Sequence, residues 1–474
     1  MSVQHWLSRS RARHGLAAAL IVLSFGALVL MKVPASGASV LSGEPVGPGG
    51  ARFSGPGASG VFSLSQVKLY SAGDSRFFAE LALRADELDG VRERAPLALA
   101  IVLDTSGSMG GEKIQQAKDA ARRLVDGMRD DDQVVFVSYS GLPTLMQPLA
   151  RVGDVRDTLT SRIDSLSAGG GTNIPPALKA AYREIWDASP GRVRRVVLVS
   201  DGLDDSEADS KALALRQLDR QVTTSALGIG LDFDESYMAG VASTGRGNYG
   251  FVRDGSALAQ FLERELEETA TTTIHAATAR LRLPRGVRFV QALGAEAREL
   301  RDREIELRLG SLFAGDERRI VVELAAAPEV GERLEIEAQV SWQQLDGDRT
   351  RVEIGALTLT GTDSRRVAEA SRNGQVYASC VSALASQRQL AAARAYRDGD
   401  QATADALIQQ NIVALDEARV AAPAAEAAEL ETQKARYGAA RSSFARVAPR
   451  SAEGKAAAKE ATERDLMNVD RKAW

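Results

Sequence analysis

The sequence predicts an α/β protein: a doubly wound, mostly parallel sheet with a flanking antiparallel β-sandwich and a C-terminal helical region. Three observations predict it. A continuous apolar run at Leu97–Leu103 and further strand-like segments at Val193–Ser200 and Val222–Ile229 alternate with segments of helical period, the pattern of strands buried by helices on both faces. Between 271 and 361 the period becomes two, as in sheets with one buried face. From about Arg365 the chain turns alanine-rich with helical spacing.

At 474 residues the chain has room for two or three cores. Its 44% hydrophobic and 26% charged residues are an ordinary globular balance. The formal net charge is −4, and no block of lysines or arginines offers a nucleic-acid surface, so nucleic acid is not an expected partner. Cys380 is the single cysteine, which excludes an intrachain disulfide, and it reads as a small buried hydrophobe in a helix. His5 and His14 precede the first apolar run and are far from His275 in the chain, and no paired-cysteine motif occurs. A bound metal is therefore expected to be a hard ion held by oxygens.

Residues 1–40 read as a signal peptide or membrane anchor. Arg9, Arg11, Arg13 and His14 precede an apolar run from Leu16 to Met31, and Ser36-Gly37-Ala38 supplies small residues for cleavage. The 16-residue run is short for a full crossing of about 20 residues; a cleaved signal and an uncleaved anchor through residues 16–31 both fit. Either sends the rest of the chain across a membrane, to the periplasm or cell surface. Residues 41–60 are rich in glycine, proline and serine and are expected to be a flexible spacer. Strand-like runs at Val61–Tyr70 and Phe77–Leu83 follow. Residues 61–96 are expected to join the later sandwich, with the α/β unit inserted between its parts.

The α/β unit is placed at 97–268. After Leu97–Leu103 come a helix from Lys113 to Met128, a strand at Val134–Ser138, and a helix marked by Val155, Leu159, Ile163 and Leu166. The loop Gly169-Gly170-Gly171-Thr172-Asn173 leads into a helix that starts on Pro175-Pro176 and runs to Trp186. Val193–Ser200, a helix near Glu207–Leu218, Val222–Ile229, a short strand at Phe251–Val252 and a helix from about Ser256 to Glu267 complete it.

Such sheets carry their binding loops at the carboxyl ends of the strands. Asp104, Ser106 and Ser108 alternate just past the first strand, Thr172 sits in the glycine loop, and Asp201 follows Val193–Ser200. Two carboxylates and three hydroxyls make an all-oxygen cage for a small hard cation, Mg2+ foremost, with Mn2+ or Ca2+ as alternatives. With two formal charges around it, the ion keeps enough electrophilicity to accept an Asp or Glu from a partner protein. Lys113, heading the next helix, reads as solvated.

Asp104-Thr105-Ser106-Gly107-Ser108, Gly170-Gly171-Thr172-Asn173 and Val199-Ser200-Asp201-Gly202, in that order, resemble the von Willebrand factor type A domain family over about 97–265. Leu227-Gly228-Ile229-Gly230 and Gly245-Arg246-Gly247-Asn248-Tyr249 are similar to the tail of its bacterial members. The resemblance implies that Asp104, Ser106, Ser108, Thr172 and Asp201 form a metal-ion-dependent adhesion site, with Asp201 acting through water. It implies a protein-binding role, which the N-terminal segment would put at the outer or periplasmic side of a membrane. Two other roles fit less well. An adaptor docking a chaperone-like ATPase requires a cytoplasmic location. A Mg2+-dependent hydrolase requires a phosphate cradle, a Gly-x-Ser-x-Gly elbow or a histidine-containing triad, and none is present. The chain is thus expected not to be an enzyme.

The sandwich is placed at 269–363, with strands at Thr273–Leu283, Ile305–Leu309, Arg319–Leu324, Arg333–Trp342 and Thr350–Thr360. In the helical region, 364–474, Asp398-Gly399 marks a turn and Pro423 a break, as in an antiparallel pair or small bundle.

Overall fold

The computed structural model describes residues 40–42, 44–45, 49–87, 95–201, 204–229, 233–252, 261, 264–268, 271–344 and 347–470. The proposed signal or anchor, with its apolar run 16–31, lies outside these residues, as does most of the helix expected at 256–267.

Across the central sheet the strands run Arg246–Val252, Val222–Ile229, Val193–Ser200, Leu97–Asp104, Gln133–Tyr139 and Pro143–Arg151. The first five are parallel and the last is antiparallel. Leu97–Asp104 is buried at every position because alternate residues feed two cores. Leu97, Leu99, Ile101 and Leu103 pack with helices Glu112–Gly127 and Val152–Asp164. Ala98, Ala100 and Val102 pack with helices Ile174–Trp186 and Glu235–Thr244. This is the doubly wound sheet the apolar runs predict. Strand order reverses between Leu97–Asp104 and Val193–Ser200, which opens a crevice at their carboxyl ends.

Two elements of this unit lack the expected sequence pattern. Pro143–Arg151 is an edge strand of exposed and half-buried residues apart from Gln147, holding two prolines, a residue that sheets tolerate at edges. Glu235–Thr244 is short and contains Gly240; its start is fixed by Asp234, whose side chain accepts from the Tyr237 amide.

Strands from before and after the α/β unit share a two-sheet sandwich. Ser75–Ala85 pairs antiparallel with Glu317–Ala326 along its whole length, so the chain leaves the sandwich at Ala85 and re-enters at Thr272. The sheets close on one core containing Phe62, Phe77, Leu81, Leu281, Leu307 and Trp342. Each such buried side chain contributes roughly 1.5–3 kcal/mol. The sandwich is antiparallel except where the short strands Val40–Ser42 and Lys68–Tyr70 pair parallel with Arg349–Thr362.

The spacer expected at 41–60 is a correction. This stretch forms strands, chiefly Gly50–Gly55 and Ala58–Leu64, and buries Ala51, Phe53 and Ala58. Glycine supplies space here rather than flexibility. A Cβ on Gly60 would lie 2.3 Å from the Phe53 ring and 2.2 Å from the Ala82 carbonyl oxygen.

Helices Gly374–Arg397, Gln401–Ala421 and Ala424–Arg446 form the C-terminal layer, with breaks at Asp398-Gly399 and Pro423. The first packs on Phe78, Leu293 and Val321 of the sandwich and buries Cys380. Two shorter helices, Ala452–Glu460 and Glu463–Asp470, reach the α/β unit: Thr462 Oγ1 donates to Glu235 Oε2 at 3.1 Å, and Lys459 Nζ lies 4.2 Å from the Phe233 ring centre. Among the described residues no helix is long and apolar enough to cross a membrane.

Candidate metal centre

Asp104 ends its strand at the crevice and is wholly buried. Its Oδ1 accepts from the Ser106 amide at 2.7 Å, which closes a tight turn. Its Oδ2 accepts from Ser200 Oγ at 2.6 Å and from the Tyr139 hydroxyl at 3.2 Å. Burial pushes the Asp104 carboxyl above its ordinary value; the Ser200 and Ser106 bonds pull it back, and the Asp201 charge pushes it further up. Asp104 and Asp201 are therefore near enough to repel. Burial also holds the Tyr139 phenol well above its ordinary range, so it remains a neutral donor.

The turn continues into Gly107–Met109, pinned by the buried Met109. Ser106 is buried and Ser108 exposed, so the cluster opens to solvent on one side. Their hydroxyl oxygens lie 3.0 Å apart. The glycine loop is tied to this turn by two backbone bonds, Gly107 N to Gly170 O at 3.0 Å and Gly169 N to Thr105 O at 2.8 Å. Gly170 has φ +85°, and a Cβ there would sit 3.1 Å from Ser140 Oγ, so glycine is needed twice over. Thr172, two residues on, is half-buried at the same edge. Asp201 is wholly buried, and its carbonyl accepts from the Asp234 amide at 2.9 Å.

The structure thus brings Asp104, Ser106, Ser108 and Asp201 into one cluster and holds the Thr172 loop against it. Sequence reasoning missed Ser200 and Tyr139. Ser200 stands inside the Val199-Ser200-Asp201 motif, whereas Tyr139 is marked only by its position at the end of the neighbouring strand. Lys113 is a correction: instead of being solvated, its Nζ donates to Asp201 Oδ2 at 3.1 Å.

The donor set fits a hard divalent ion. Adjacent oxygens of an octahedral Mg2+ shell, each at about 2.1 Å from the ion, are about 3 Å apart, the separation of the two serine hydroxyls. Among the described residues no three histidine, cysteine, aspartate or glutamate side chains converge as a metal site. Two carboxylates with neutral hydroxyls are the available chemistry.

A family model of the von Willebrand factor type A domain matches residues 98–264. The protein YfbK of Escherichia coli (strain K12) is 28% identical over 212 residues, which cover 43% of this chain and 36% of that protein. The Synechocystis protein sll0103 is 27% identical over 255 residues, covering 52% of this chain and 60% of the relative. Inter-alpha-trypsin inhibitor heavy chain H2 of Mesocricetus auratus is 30% identical over 165 residues, 32% of this chain and 17% of the relative. The chain therefore spans less than two thirds of each of these relatives.

Two solved structures share the fold well beyond the matched domain. A von Willebrand factor type A protein from Catenulispora acidiphila, 19% identical, has a TM-score of 0.64 over 89% of this chain and 99% of its own. The ArnB paralog VWA2 from Sulfolobus acidocaldarius, 13% identical, has a TM-score of 0.57 over 86% and 98%. Type A domains generally mediate protein–protein interactions and commonly bind a divalent ion at such an edge. With the sheet order, the crevice and the motif residues all in place, residues 98–264 of this chain are a von Willebrand factor type A domain.

Proposed function

We propose that this chain is a metal-dependent protein-binding module rather than an enzyme. Asp104, Ser106, Ser108, Thr172 and Asp201 hold a Mg2+ ion, and a partner protein supplies an Asp or Glu carboxylate to it. The observation that carries this reading is the pair of serine hydroxyls 3.0 Å apart beside buried Asp104. Ser200 and Tyr139 keep the Asp104 carboxylate turned toward the crevice, and the Gly169–Gly171 backbone fixes the second loop. The ion supplies the charge that draws the partner's carboxylate.

The basic and apolar segments of the first forty residues support export, to the periplasm or cell surface, by cleaved signal or by anchor. Cell fractionation tests this, and recovery in the cytosol would favour the adaptor reading instead.

Calorimetric titration with Mg2+ tests the site. The full chain should bind the ion, and Asp104→Ala should weaken binding at least about 100-fold, since it removes a directly coordinating charge from a hard-ion site. Capture of a partner from cell envelopes should require Mg2+ and fail in EDTA. Wild-type Mg2+ binding in the Asp104→Ala chain would sink the proposal.

A further inference from the structure

Lys113 is unexplained by the helix that carries it. It lies in the first turn of Glu112–Gly127, where the helix dipole disfavours a cation. Its ammonium instead reaches Asp201, a side chain with no exposed surface, while its own side chain is 23% exposed. Asp104, the other carboxylate of the cluster, is held by the neutral donors Ser106 N, Ser200 Oγ and Tyr139 OH. Asp104, Asp201 and Lys113 thus carry −1, −1 and +1, a net charge of −1 where the five ligand residues alone would give −2.

We infer that Lys113 is the charge-setting residue of this site: its ammonium weakens divalent-ion binding and leaves the bound ion more attractive to a partner's carboxylate. The inference rests on the proposed function and adds a trade-off to it. A positive charge close to a divalent ion repels it, and the repulsion is only partly screened at a half-buried position. The same charge offsets one of the anions that would otherwise repel an incoming carboxylate. Removing it should move the two affinities in opposite directions, a signature that a purely structural ion pair does not produce.

The test uses the full chain with Lys113→Met, Lys113→Gln and Lys113→Arg. By calorimetry, the Met and Gln variants should bind Mg2+ about five- to tenfold tighter than wild type. The gap should narrow in 0.5 M KCl, where the Debye length is about one-third of that at 0.05 M and surface-connected charges are screened. Lys113→Arg keeps the charge and should stay within about twofold of wild type. With Mg2+ saturating, 13C-acetate followed by NMR should bind the Met and Gln variants more weakly. Thermal unfolding in EDTA identifies a variant that fails to fold, and two neutral variants keep the comparison available. Unchanged or weaker Mg2+ binding in both neutral variants overturns the inference while leaving the proposed function intact, provided that Asp104→Ala weakens binding at least about 100-fold. Absence of Mg2+ binding in the wild-type chain overturns both.

Discussion

At the amino-terminal end of the central sheet Arg195 and Glu265 are buried as an opposite pair; at the carboxyl-terminal end Asp104 and Asp201 are buried as a like-charged one. Arg195 Nη1 donates to Glu265 Oε1 at 2.7 Å, and Ser225 Oγ and Asn248 Nδ2 donate to the same carboxylate at 2.7 and 3.1 Å. That cluster joins the helical segment 264–268 to three strands, and the Arg195 guanidinium meets Glu265 directly while Glu268 Oε2 stands 3.9 Å away. At the other end two carboxylates face each other's field, with Lys113 offsetting one of them. The difference teaches where to look for a ligand. A buried carboxylate that a buried guanidinium contacts directly is complete, whereas a pair of buried carboxylates beside hydroxyls that open to solvent can take up a cation.

The largest effect that would break this comparison is expected at the complete cluster. Arg195→Ala leaves Glu265 buried without its strongest partner and should cost about 3–5 kcal/mol of stability, read from urea unfolding. Mg2+ affinity of the folded fraction should be unaffected, because Arg195 lies at the far end of its strand from Asp201. A large change in Mg2+ affinity would mean that the two ends are coupled and the contrast drawn here is false.

The opposite sign is expected at the other end. In EDTA, Asp104→Asn removes one of two mutually repelling buried charges. Ser200 and Tyr139 carry hydroxyls that can reorient toward the new amide, so the variant should gain on the order of 1 kcal/mol while losing Mg2+ binding. Destabilisation in EDTA would show that the carboxylate is held as a structural group.

The contrast also explains how much was legible in the sequence. Leu97–Leu103 announces itself because a strand buried on both faces is apolar throughout, and Val193–Ser200 because Val196–Val199 is an apolar run leading into Ser200-Asp201. Asp104, Ser106 and Ser108 are legible because their alternation is local, and Asp201 because it ends a recognisable strand. What pairs across long distances was not. Residues 41–60 look like a linker in isolation; their burial depends on the partner Ser75–Ala85, and Gly60 has meaning only once Phe53 and Ala82 surround it. Lys113 looked solvated because the carboxylate it meets lies 88 residues later. Pro143–Arg151 buries only Gln147 fully, so its apolar period is too weak to see.

A third buried carboxylate sharpens the comparison with the smallest effect. Asp465, in the last described helix, accepts from Ser386 Oγ and the Tyr437 hydroxyl at 2.6 Å each, yet its Oδ2 is buried with no hydrogen-bond partner among the described residues. Arg436 stands off at 3.7 Å, partly exposed. Burial raises the Asp465 carboxyl above its ordinary 3.8, against the pull of Ser386, Tyr437 and Arg436. A carboxyl raised on folding binds its proton more tightly in the folded chain. Its contribution to stability is therefore full below 3.8 and is lost as pH rises through the folded value. Asp465→Asn cannot lose that contribution. The variant and wild type should be about equally stable near pH 3.5, and the variant should become more stable as pH rises to 7, by on the order of 1 kcal/mol. Urea unfolding followed at several pH values measures the gap. A gap that closes with rising pH would mean that Arg436 and the two hydroxyls already satisfy the charge, placing Asp465 with Glu265 rather than with Asp104.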